Sequence, residues 1–118
     1  MNDMEKFTAE REALNKLVLD YGGLEIKRFF SLDSQVYREG SIPVKYKELM
    51  GLVASLVLRC DDCVKYHIGR AFDENVTDSE MEETMAIGLV VGGSITIPHL
   101  RRAIKAWDEL KQKGNTNE

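Results

Sequence analysis

Leu89-Val90-Val91-Gly92-Gly93-Ser94-Ile95-Thr96-Ile97 is the stretch on which the fold class turns. By itself it reads as a β-hairpin, two short apolar strands about a Gly-Gly turn. Its flanks read differently. Thr77-Asp78-Ser79-Glu80 has the pattern in which a hydroxyl and a carboxylate close the open end of a helix, and residues 82–87 and 100–113 are strongly helical in pattern. Helix is therefore the preferred reading, with Gly88, Gly92 and Gly93 as points of close packing and Pro98 as a kink or a new helix start. That choice predicts an all-α fold: a single-domain bundle of five or six helices over residues 1–118, with no sheet.

Upstream, residues 5–21 contain no Gly or Pro, and Phe7, Ala13, Leu14, Leu17 and Val18 fall on one helical stripe among charges. Gly22-Gly23 stops this helix. A second helical segment, residues 24–37, carries Phe29, Phe30, Leu32 and Tyr37, an aromatic cluster of the kind found in a core or a subunit contact. Pro43 suits a helix start. Residues 49–58 are apolar except for Gly51 and Ser55, which are small and four apart and so permit close approach of another helix. A helix apolar all round is buried all round, and in so small a chain this predicts burial partly by other subunits. Asp61 and Asp62 are typical of a first helical turn, which places a break near Arg59 and a new helix running through Phe72. Residues 114–118 read as a polar, frayed tail.

The chain has 118 residues, 43% apolar and 31% charged, with a formal net charge of −4. No basic cluster stands out, which argues against nucleic acid as a partner. The polar N-terminus lacks the apolar run of a signal peptide, and residues 85–99 are too short and too broken by Gly and Pro to span a bilayer. The expectation is a cytoplasmic protein with no membrane association. In that reducing compartment a purely structural disulfide would not persist, so a cysteine pair points to catalysis or metal.

That pair sits in Cys60-Asp61-Asp62-Cys63-Val64-Lys65-Tyr66-His67, with Glu48 twelve residues before Cys60. These are the only two cysteines, and His67 is one of two histidines. Residues three and four apart share a helix face, so Cys60, Cys63 and His67 form one stripe. Unpaired N–H groups in a first turn favour thiolate over thiol, and His67 is placed to take a proton from Cys63. Rival readings are chance burial, covalent haem attachment and a zinc site. Haem attachment would need histidine directly after the second cysteine, where Val64 stands. Zinc would need a fourth ligand, for which His99 is the candidate, but three ligands from one helix crowd a tetrahedron. His99 otherwise reads as structural, and Glu48, without its spacing, as a solvated residue near a helix start.

Glu48-Leu49, the Cys-x-x-Cys and His67 together resemble the carboxymuconolactone decarboxylase family, and more narrowly its alkyl hydroperoxidase D branch, over residues 44–72. The resemblance implies an all-helical homo-oligomer, a trimer or hexamer, in which Glu48 is a proton-relay carboxylate, Cys60 and Cys63 the redox pair and His67 the relay histidine. It implies reduction of a small peroxide or disulfide substrate, reset by an external dithiol reductant protein, with no cofactor. In the mechanism expected here Cys63 attacks and Cys60 resolves, the alternative being first attack by Cys60, the N-terminal cysteine of the pair. Two positions depart from the branch: Asp62 stands where the well-known hydroperoxidases have histidine, and Leu58-Arg59 precedes the first cysteine where Asn-Gly is common. Alternatives are decarboxylase-like proton transfer by Glu48 and His67, or a non-enzymatic metal-binding or redox-responsive module. On one continuous helix Glu48 and Cys60 would lie about 18 Å apart, so contact near the site demands a fold-back at Arg59, which makes His67 the partner expected for Glu48.

Overall fold

The computed structural model describes residues 1–116, and every regular element among them is helical. The all-α prediction holds, with six α-helices and one short 3-10 turn in chain order. Helix α1 (Asp3–Tyr21) opens two residues before the predicted start, because Asn2 accepts the Glu5 N–H at 2.8 Å while the Glu5 carboxylate accepts the Asn2 N–H at 3.0 Å. After Gly22-Gly23 comes α2 (Leu24–Val36), then α3 (Val44–Leu58), capped by Pro43. Helix α4 (Asp61–Asp73) follows after two residues, and α5 (Asp78–Gly92) opens on the Thr77/Glu80 capping box.

The ambiguous stretch resolves as a helix end, not a hairpin. Val90 and Val91 complete α5, Gly93 turns at φ +79, Ser94–Thr96 forms the 3-10 turn, and α6 (Ile97–Thr116) begins. Glycine is needed at 92 because a Cβ there would lie 2.3 Å from Thr96 Cγ2 and 3.6 Å from the Val57 Cα. Gly93 is no packing point, since nothing lies within 4 Å of its missing Cβ. It supplies instead a backbone conformation that side chains disfavour. Pro98 is the second residue of α6, where its missing N–H leaves no intrahelical bond unmade. The helix continues through Thr116 where a frayed tail from Gly114 was expected, and Asn117 and Glu118 lie outside the described residues.

The core is made mainly by α3, α4, α5 and α6, with Leu52, Leu56, Val64, Ile68, Met81 and Ala103 among its members, and Met4 of α1 joins it. Helix α1 is pinned to α6 by Lys105 to Asp3 and Lys113 to Glu5. Two apolar faces are left open by the chain itself. Only one face of α3 is buried within the chain, through Leu49, Leu52 and Leu56, while Leu58 is 77% exposed and Met50 lies open beside Ile87 and Val91 of α5 in an apolar groove. The aromatic helix α2 is not core either: it buries no residue, and Phe29 is 69% exposed.

Candidate functional site

The site begins at the break that the sequence located. Arg59 adopts the left-handed conformation, φ 59 and ψ 40, and this reverses the chain between α3 and α4. Cys60 is then the N-cap of α4, its Sγ accepting the Cys63 N–H at 3.3 Å. Cys60 and Cys63 are joined as a disulfide, with Cα atoms 5.3 Å apart. Cys63 is solvent-exposed, whereas Cys60 is half-buried.

One turn beyond Cys63, His67 is 8% exposed and meets Glu48, which is 2% exposed, at 2.8 Å between Nδ1 and Oε1. The fold-back at Arg59 thus brings together the pair expected to meet. Arg70, one turn further along α4, places its Nε 3.8 Å from the other Glu48 oxygen, so neither oxygen of this buried carboxylate lacks a positive or N–H neighbour. With Nδ1–H donated to Glu48, Nε2 is the ring nitrogen left to accept a proton. Cys63, Tyr66 and His67 line one end of a cleft of about 720 Å³ that is walled by Phe7, Arg11 and Leu14 of α1. The Arg11 guanidinium lies 3.8 Å from the Tyr66 ring centroid and holds that wall to α4. Asp62, one of the two departures noted in the sequence, is exposed on the same cleft.

The family model for carboxymuconolactone decarboxylases matches residues 26–106, from near the start of α2 through the first half of α6. The chain belongs to the carboxymuconolactone decarboxylase family. It is 55% identical to a solved Thermotoga maritima protein of this family, with a TM-score of 0.91 and 96% of each chain covered; that protein is described as a family member with a suggested part in an antioxidative response. A family protein from Legionella pneumophila, 19% identical with a TM-score of 0.85 over 93% of this chain and 98% of the other, shares the fold. An uncharacterised protein of Cupriavidus necator is 30% identical over 73 residues, 62% of this chain and 65% of its own length. This chain thus spans about two thirds of that relative.

Within this family member, two residues that the sequence reading did not assign to the site belong to it. A Cβ on Gly51 would lie 2.6 Å from the Tyr37 hydroxyl, 2.7 Å from His67 Cε1 and 2.8 Å from His67 Nε2. Gly51 therefore gives the imidazole its room, and the Tyr37 hydroxyl and the free His67 nitrogen border the same point. The two rings are 5.4 Å apart between centroids. Burial, then the neighbouring charge of Glu48, push the Tyr37 phenol above its ordinary range. Tyr37 caps the C-terminal end of α2, which is otherwise exposed, and the Lys47 ammonium holds that end by donating to the carbonyls of Val36 and Arg38 at 2.8 and 2.6 Å.

His99, read from sequence as structural or as a zinc ligand, lies on neither His67 nor the cysteines' bond. Its Nδ1 is 2.8 Å from Asp61 Oδ1, and Arg102 Nε donates to Asp61 Oδ2 at 2.9 Å. Burial alone would raise the Asp61 carboxyl, but the hydrogen bond from His99 and the charge of Arg102 outweigh it and hold the group below its usual range. Among the described residues, no three His, Cys, Asp or Glu side chains are grouped to hold a metal ion, and no helix is long and apolar enough to cross a membrane.

Proposed function

We propose that this chain is a dithiol–disulfide oxidoreductase that reduces a peroxide or a small disulfide. One observation carries the reading: the exposed half of a helix-capping disulfide and the histidine of a buried Glu–His pair line the same cleft. In the reduced protein, His67 Nε2 takes the proton of Cys63, steadied by Glu48 through Nδ1. The Cys63 thiolate attacks the terminal peroxide oxygen. The O–O bond breaks, the leaving alkoxide takes the proton from His67, and Cys63 is left as a sulfenic acid. Cys60 attacks that sulfur, water leaves, and the disulfide forms. An external dithiol then takes up the disulfide's oxidising equivalents by exchange and returns both thiols. With a disulfide substrate the first attack gives a mixed disulfide and releases one thiol, which takes the proton from His67; Cys60 then attacks the Cys63 sulfur and the second thiol leaves. The exposure of Cys63 over Cys60 supports this order of attack, and the antioxidative part suggested for the Thermotoga relative supports peroxide as substrate. A reducing cytoplasm is the compartment that would supply the dithiol.

The test is stoichiometric. Reduced protein given one equivalent of an organic hydroperoxide should lose two hydrogens by mass and release one equivalent of alcohol. Protein that stays fully reduced with peroxide and with small disulfides alike sinks the reading.

The working unit in this proposal is a homo-oligomer, a trimer or hexamer. The open apolar face of α2 and the groove between α3 and α5 are surfaces that water-exposed proteins rarely leave uncovered on this scale. Light scattering at micromolar concentration should give a multiple of 13.4 kDa. A monomer there contradicts the assembly.

A further inference from the structure

Asp61 is bonded through the chain to Cys60 and begins α4. An acidic residue in a first turn is favourable for the helix, but a carboxylate beside a cysteine that must ionise is unfavourable for the thiolate. The structure answers this conflict from α6. Both oxygens of Asp61 are engaged, Oδ1 by His99 and Oδ2 by Arg102, residues 38 and 41 positions away. Asp62 and Arg59 are the other charges flanking the cysteine; both are exposed, so water screens them more strongly. Packing of α4 on α6 does not require the cluster, because Val64, Ile68, Ala103 and Trp107 already form a common core.

We propose that Arg102 and His99 are positioning residues for Cys60, acting through Asp61: they fix the first turn of α4 and balance the carboxylate charge that would otherwise oppose a thiolate at Cys60. The proposal rests on the dithiol reading and deepens it. The site then has two histidine–carboxylate pairs with separate duties. Glu48–His67 handles the proton of the attacking thiol. Asp61–His99, with Arg102, sets the charge around the resolving thiol.

The experiment uses the Cys63→Ser chain, so that Cys60 alone is alkylated, and follows the iodoacetamide rate against pH. Arg102→Gln should raise the midpoint by roughly half to one pH unit, the scale of one uncompensated charge at close range near a protein surface. Asp61→Asn should lower the midpoint by a similar amount. Arg102→Lys, which keeps the charge, should stay near the parent, and Arg102→Gln combined with Asp61→Asn should return towards it. Loosening of the helix end would move Arg102→Gln and Asp61→Asn the same way, so shifts of opposite sign separate charge from mere support. Shifts of one sign, or none, overturn the proposal. The measurement needs no substrate: an unsubstituted chain that stays reduced with peroxides and with small disulfides alike would remove the reductase reading while leaving this one to stand or fall on the midpoints.

Discussion

Cys63→Ser should lose peroxide consumption, by about 10³-fold or more, the scale on which loss of a nucleophile is felt, whereas Cys60→Ser should consume a single equivalent and stop. The difference follows from exposure and from the cap. Cys63 faces the cleft and shares its lining with His67, so its thiolate is the one a substrate meets. Cys60 is half-buried with its sulfur turned to the Cys63 N–H, a place suited to a second attack from within. Without Cys60 the sulfenic acid at Cys63 has no internal partner and should be trapped by a dimedone-type reagent, one adduct per chain. Single-equivalent consumption by Cys63→Ser, with none by Cys60→Ser, would reverse the order. Turnover of any substrate that survives replacement of both cysteines would point instead to proton-transfer chemistry by Glu48 and His67.

Gly51→Ala should leave the fold nearly as stable as before and yet impair the site about as badly as loss of the histidine. Two stability effects oppose each other. Alanine improves helix propensity by about 1 kcal/mol over glycine, and forcing a methyl into a filled space costs about 1–3 kcal/mol. Net destabilisation is therefore small. The methyl, however, would sit within 2.8 Å of His67 Nε2, 2.7 Å of Cε1 and 2.6 Å of the Tyr37 hydroxyl. Tyr37 is the free end of a long side chain and can retreat, but His67 is held on its other side by Glu48. A ring displaced by about an ångström costs on the order of 10²-fold in rate. The check is alkylation of Cys63 against pH in a Cys60→Ser chain. His67→Ala should raise the midpoint by about one pH unit, His67→Gln should do the same while preserving a bond to Glu48, and Gly51→Ala should follow them. A Gly51→Ala profile that matches the parent would show that the glycine matters for helix packing alone.

The legible part of this molecule was the part written in local chemistry. The capping box at Thr77 and Glu80 outweighed the hairpin-like Val90-Val91-Gly92-Gly93, and the structure continues α5 to Gly92. The acidic pair Asp61-Asp62 marked a helix start, and the distance between Glu48 and Cys60 required the reversal found at Arg59. What stayed hidden depended on contacts across the chain. Gly51 was read correctly as a point of close approach, but sequence could not say that an imidazole, not a helix, approaches it. Tyr37 looked like one more aromatic of α2, because nothing local distinguishes the ring that turns inward from Phe29, which stays out. His99 and Arg102 are separated from Asp61 by most of α4, all of α5 and the turn after it, and no periodicity carries a link of that length. The apolar run of α3 was read as covered partly by other subunits, and its own chain buries one face of it; hydrophobicity shows that a face avoids water, not what covers it.

The sulfur of Cys60 both starts a helix and belongs to a redox couple. One atom therefore sits in two equilibria, and a thermodynamic cycle ties them. The gap between the unfolding free energies of the oxidised and reduced proteins must equal the difference between reducing the disulfide in the native chain and in the unfolded one. Denaturant melts of the two forms would thus measure how far folding shifts the couple's potential from that of the unfolded chain, each 1.4 kcal/mol of separation corresponding to about 30 mV. Selection on the melting behaviour of α4 and selection on the driving force delivered to a substrate would act on the same quantity.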